Sequence, residues 1–170
     1  MLRLSDLLDL PRPGDGWPDR SAFDLEIERR GIHWPEAVVR QWLWEHGKHE
    51  DFLAQYDHLD LLALKWELRQ VAAADLCDAT FYEEFADYVA GVERAPYWKV
   101  DQYRKGFGED VWTTTWRLPP ILVSGELRAV PQLSMHLVEG HTRLGILRGL
   151  VRLGEASPSA HHAIYLAIPE

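Results

Sequence analysis

"LVEGHTRLGILRGL", residues 137–150, decides how the chain is read. Two apolar residues lead into an acid, a glycine, a histidine, a threonine and an arginine. Leu144, Leu147, Leu150 and Val151 then recur at helical spacing. The pattern predicts a strand that stops near Gly140 and a helix that follows at once, closed by Gly154. Such a junction has chemistry of its own. The first N–H groups of a helix lack internal partners, and its dipole favours an anion there. A glycine lets a phosphate or carboxylate come close to the backbone. Arg143 adds a planar fork of donors, and Thr142 a hydroxyl. Glu139, at the strand end, is the candidate catalytic group, as the holder of a phosphate-bound metal ion or the acceptor of a proton. Spacing alone slightly favours a plainer alternative, in which Gly140 makes a tight turn, Thr142 caps the helix and Arg143 is a solvated charge, because glycine turns before helices are common.

The same alternation of periods extends outward. "PPILVSGEL" (119–127), "MHLVE" (135–139) and "HHAIYLAI" (161–168) predict strands around the helix. Upstream, Leu64, Trp66 and Leu68 alternate with Lys65, Glu67 and Arg69, the period of a half-buried strand. Residues 72–92 predict a helix with Phe81, Phe85, Tyr88 and Val89 on one face and Gly91 at its end. Residues 94–118, aromatic and interrupted by glycine, predict a long loop with extended or helical pieces. The first sixty-odd residues are expected to be helical. "LSDLLDL" (4–10) predicts a short helix capped by Ser5, and residues 11–21 a loop. A helix is expected to start at Trp34-Pro35-Glu36, bury Val38, Val39, Trp42 and Leu43, and stop at Gly47. Another turn or two is expected near 49–57. The fold class is therefore α+β, with a helical N-terminal region at 1–63 and a small mixed-sheet domain at 64–170.

Bulk properties narrow the function. The 170 residues are 46% hydrophobic and 26% charged, a globular balance. No apolar run approaches the ~20 residues that span a bilayer. The N-terminus carries Asp6 and Asp9 and lacks the basic start of a signal peptide, and Cys77 is the single cysteine. A cytoplasmic protein without membrane contact is expected. A net charge of −9 argues against general binding to nucleic acid. Residues 1–63 hold 7 Lys/Arg against 13 Asp/Glu, whereas residues 117–170 hold 5 against 4. The junction thus lies in the one segment that is not acidic.

Other candidates are weaker. His136, Glu139 and His141 are close in sequence, but strand geometry sends His136 and Glu139 to opposite faces, so no metal site is expected. His161 and His162 should diverge in the same way. Of the eight tryptophans, Trp42 and Trp66 fit core positions. Trp98, Trp112 and Trp116, with Lys99, Arg104 and Lys105, fit simple packing, a cover over a nucleotide, or a protein-binding surface.

The segments "PPILVSGEL", "LVEGHTRLGILRGL" and "HHAIYLAI" together resemble the ParB/sulfiredoxin-like (ParB N-terminal-like) domain. There a strand ends in glycine, one or two polar residues and an arginine that open a helix. The corresponding run here is Glu139-Gly140-His141-Thr142-Arg143-Leu144-Gly145-Ile146, and "LKWELRQVAAADL" (64–76) resembles the domain's first strand and following turn. About fifteen residues carry the likeness across 64–168. It implies a nucleotide site in which Gly140, His141, Thr142 and Arg143 contact phosphate, the ligand being a nucleoside triphosphate, ATP or CTP, with Mg2+. Departures limit what carries over. Sulfiredoxin places a cysteine after the glycine, where this chain has His141, so sulfinic acid reduction is not expected. Neither a second arginine-rich signature nor a helix-turn-helix follows, so chromosome partitioning is not expected either.

The sequence therefore points to a nucleotide-binding protein, of the NTP-dependent phosphotransferase or hydrolase kind. The alternative is a non-catalytic protein-interaction module, antitoxin-like or immunity-like, that meets a basic partner through its acidic, Trp-rich region.

Overall fold

Pro35 begins the best-formed part of the N-terminal region, where α2 (Glu36–Val38) widens into a π-helical turn over Val39–Trp44. The wider turn brings five of its six residues, Val39, Gln41, Trp42, Leu43 and Trp44, into the interior. Helical turns end at His46, with Gly47 in the following turn as the sequence predicts. This computed structural model describes residues 1–10, 20–107, 118–128 and 135–170, and the side chains of all of these except 103–107. Most of the expected loop at 11–21, together with Trp112, Trp116 and the side chains of Arg104 and Lys105, lies outside the described residues. The chain is α+β, with helices and a four-stranded mixed sheet. It divides into two compact units, Met1–Trp66 with Ile168–Glu170, and Glu67–Ala167. Among the described residues no helix is long and apolar enough to cross a membrane.

The first unit is built on aromatic contacts. The fully buried Trp42 lies 5.4 Å from Tyr56 and 5.5 Å from both Trp34 and Trp66, centroid to centroid. Rings at these separations and tilts add packing energy beyond their buried area. Two differences from expectation stand out. Ser5 is the first residue of a 3-10 turn (Ser5–Leu7) rather than its cap. Helix α1 (Ser21–Arg29) occupies a stretch for which no element was predicted. Phe23, Leu25 and Ile27 alternate like a strand, but the helix buries only Phe23 and Ile27, one turn apart, and leaves Leu25 exposed. Helix α3 (Glu50–Tyr56) lies where the sequence predicts a turn or two.

The sheet, most of whose residues belong to the second unit, has the order β1-β4-β2-β3, from β1 (Leu64–Ala72), β2 (Ile121–Ser124), β3 (Met135–Glu139) and β4 (His161–Pro169). β2 runs antiparallel to β3 and parallel to β4, with Leu122 opposite Leu137 on one side and Leu166 on the other. Ile121, Leu122, Val123, Leu137, Ile164 and Leu166 are buried, as expected of inner strands. β1 is an edge strand, and its Leu68 is 62% exposed rather than facing a core.

The single helix predicted at 72–92 is two. After α4 (Ala73–Cys77) the chain extends, because Thr80 donates its N–H to Met135 and accepts from Leu137 N–H at 2.8 Å on the outer side of β3. That lateral pairing outcompetes helical propensity over 78–82. Helix α5 (Ala86–Arg94) then runs through Gly91, which does not end it. Helix α6 (Pro96–Phe107) stands where a loop was expected. Pro96 suits a first helical position, and Val100 packs with Val92 and Ile146. Helix α7 (His141–Arg152) packs on α4, α5 and α6. Its Gly145 and Gly149 permit this: a Cβ at 149 would lie 2.6 Å from the Glu93 carbonyl oxygen, and one at 145 would lie 2.8 Å from Val92.

Candidate functional site

The β3–α7 junction forms where the sequence places it. Gly140 is the N-cap of α7 with φ +115°, a conformation that side-chain-bearing residues rarely adopt. The space beside it is filled by protein, since a Cβ there would lie 2.7 Å from Pro120 Cβ and 3.3 Å from Arg143 Nε. The glycine thus serves a close approach of the segment before β2, and the open backbone face expected for a ligand is covered by Pro120.

Arg143 donates from one terminal nitrogen to the Leu118 carbonyl and from the other to Glu139 Oε1 at 3.5 Å. Both side chains keep some contact with solvent, 15% for Arg143 and 25% for Glu139. The two charged candidates are therefore partners across the junction, and Glu139 is not an isolated base. Thr142 lies inside the helix and does not cap it; its hydroxyl meets the Tyr88 hydroxyl at 2.6 Å. His141 is buried. Its ring stacks on Phe85 at 4.0 Å and meets the edge of Phe81 at 6.0 Å, so its side chain faces aromatic neighbours within the fold.

Tyr88 extends the site in a direction the sequence did not indicate, because it was assigned to a buried helix face. It is exposed, as are Tyr97 and Trp98, the last at 61%. Lys99 Nζ lies 4.8 Å from the centre of the Trp98 ring and 5.5 Å from that of Tyr88. A surface of two aromatic rings and one ammonium group therefore adjoins Thr142, and α5 and α6 create it by packing on α7.

The remaining polar residues of this unit stabilise the fold around the junction. His136 is buried and accepts from Arg128 at 2.9 Å; burial first, then Arg128, then His141, lower its pKa to about 4. Arg148 donates to the Cys77 and Ala79 carbonyls and covers the Phe81 ring. Burial pushes the Cys77 thiol up, which disfavours its thiolate form. His161 is exposed, and half-buried His162 is lowered by burial and then by His161. Among the described residues no three His, Cys, Asp or Glu side chains converge as a metal site would require.

An apolar void of about 10 Å³ between Pro120, Leu122, Leu137 and Leu144 is too small for a ligand. A cleft of about 560 Å³ lies in the first unit, between His33, Trp34, Leu62, Lys65, Trp66 and Glu170, and contains none of the sequence-derived site residues. Comparison with protein-family models, curated proteins and solved structures finds no match to this chain.

Proposed function

We propose that the chain is a nucleotide-binding protein whose site joins the first turn of α7 to the aromatic surface of α5 and α6. The observation that carries the proposal is the 2.6 Å contact between Thr142 and Tyr88, which sets the Trp98–Lys99–Tyr88 surface beside the helix start. A base has a π-face for Trp98 or Tyr88, and the phosphates have Lys99, the Thr142 hydroxyl and the Arg143 guanidinium. The resemblance to the ParB/sulfiredoxin-like domain supports the same assignment to His141, Thr142 and Arg143; at Gly140, the fourth position it implies, Pro120 fills the space beside the backbone. Phosphate binding requires Arg143 to exchange Glu139 for the ligand. That exchange replaces a 3.5 Å contact between two mostly buried side chains, while Arg143 can keep its bond to the Leu118 carbonyl. The released carboxylate would then be the group for holding Mg2+ on a triphosphate such as ATP or CTP, or for accepting a proton in phosphoryl transfer or hydrolysis.

Calorimetry with ATP, CTP and GTP in the presence of magnesium tests the proposal. Saturable binding of one of them, weakened at least tenfold by Arg143→Ala, is the expected result. Absence of binding by all three to the folded protein rejects it.

A second reading rests on the exposure of Tyr97 and Trp98, residue types enriched at the centres of protein interfaces. In this reading the chain is a non-catalytic, antitoxin-like or immunity-like module. Its partner binding would survive Arg143→Ala and fail with Trp98→Ala.

A further inference from the structure

We infer that β1 is the contact through which two copies of this chain pair, antiparallel and about a two-fold axis at Leu68. Among the described residues β1 ends the sheet order, and none of them pairs with the outer side of this nine-residue strand, whose backbone donors and acceptors are thus turned outward. Proteins guard such edges with proline, charged side chains, bulges or short strands; "LKWELRQVA" has no proline but carries Lys65, Glu67 and Arg69, so it admits a second strand where those charges meet opposite ones. Leu68 is 62% exposed, more than any other leucine among the described residues, and Arg69 and Gln70 beside it are exposed too.

The sequence around Leu68 identifies the occupant. When a strand pairs with its own copy about a central residue, each flanking residue meets the one on the other side of the centre. Here Leu68 meets Leu68 of the second copy, Glu67 meets Arg69, and Arg69 meets Glu67. An apolar pair is thus bracketed by two opposite-charge pairs, the cross-strand combinations that stabilise antiparallel ladders. Centred on Glu67, the strand would set carboxylate against carboxylate; centred on Trp66, it would pair Lys65 with Glu67, but the Trp66 ring is packed against Trp34 and Trp42 whereas Leu68 is exposed, which favours the centre at Leu68. Within one chain Arg69 already holds Glu67, with nitrogen-to-oxygen distances of 2.6 and 2.8 Å, while the side chains stay 48% and 29% exposed. Pairing of two copies widens this into a ring of four alternating charges. The interface is isologous and closes on itself, so the product is a dimer and not a filament.

Sedimentation velocity or light scattering on the full chain reads the outcome as mass. The wild type is expected at twice the chain mass of 19.6 kDa. Glu67→Arg and Arg69→Glu, each alone, set like charges against one another and are expected to run as monomers. Mixed in equal amounts, the two variants have complementary charges and are expected to restore the doubled mass. Circular dichroism melting of each variant separates loss of pairing from loss of folding. Should a variant fail to fold, Leu68→Cys serves instead: directly opposed residues cross-link under mild oxidation to a covalent dimer, and Gln70→Cys does so much less. A wild-type monomer overturns the inference. So does a dimer that persists in both charge variants, or a mixture that stays monomeric. The inference is independent of the nucleotide proposal.

Discussion

Arg128 donates a hydrogen bond to Nε2 of His136 at 2.9 Å. A guanidinium can only donate, so Nε2 carries no proton. The ring proton is therefore on Nδ1, directed at the Thr80 hydroxyl 2.9 Å away, and Thr80 continues to the Met135 carbonyl at 3.4 Å. The contact fixes one tautomer of a buried, neutral histidine and ties the extended segment before α5 to the edge of β3.

Stability should consequently fall between pH 6.5 and pH 4. The unfolded chain takes up a proton at His136 below its ordinary pKa of 6.5, whereas the folded chain resists protonation down to about 4. The stabilising difference is complete above pH 6.5 and is lost as pH falls across that window, by up to about 3 kcal/mol at 1.36 kcal/mol per pKa unit. Denaturant midpoints at pH 7 and pH 4.5 should differ less in His136→Gln than in the wild type. His162, lowered in the same direction, leaves some dependence in the variant. Equal dependence in both proteins would exclude His136 as its source.

Gly140→Ala should destabilise the fold by about 2 kcal/mol or more, from a strained backbone and from the contact with Pro120. Urea unfolding measures it. A variant as stable as the wild type would mean that the Leu118–Pro120 segment moves readily away from the junction.

Two glycines in helices should respond with opposite sign. A Cβ at Gly91 meets nothing within 4 Å, so Gly91→Ala should stabilise by up to about 1 kcal/mol through helix propensity. At Gly149 the added methyl meets the Glu93 carbonyl oxygen and Pro96, so Gly149→Ala should be a net loss of about 1–3 kcal/mol. Thermal melts of the pair decide the matter, and stabilisation by both would refute the close approach of α5 to α7.

Trp98→Ala should leave the melting temperature nearly unchanged, because the ring is mostly exposed, yet weaken nucleotide binding by about 1–3 kcal/mol if the base stacks there. Unaltered affinity beside weakened binding by Arg143→Ala would move the base elsewhere and leave the phosphate end in place.

Local order was legible wherever one periodicity ran without competition. The strand at 135–139, the glycine hinge, the helix to Arg152 and the closing strand all follow from residue spacing and from the conformational freedom of Gly140. So do the burial of Trp42 and the α+β class. Long-range contacts decided the rest. Thr80 leaves a helical run because β3 offers it hydrogen bonds, and α1 hides behind an alternation that only packing resolves. Arg143 finds the Leu118 carbonyl twenty-five residues away, Gly140 finds Pro120, and Tyr88 turns out to Thr142. Periodicity states which face of an element is apolar. It carries no information on which distant group will satisfy a donor or fill the space beside a glycine, and those partners determine whether a junction suited to anions stands open or is already engaged.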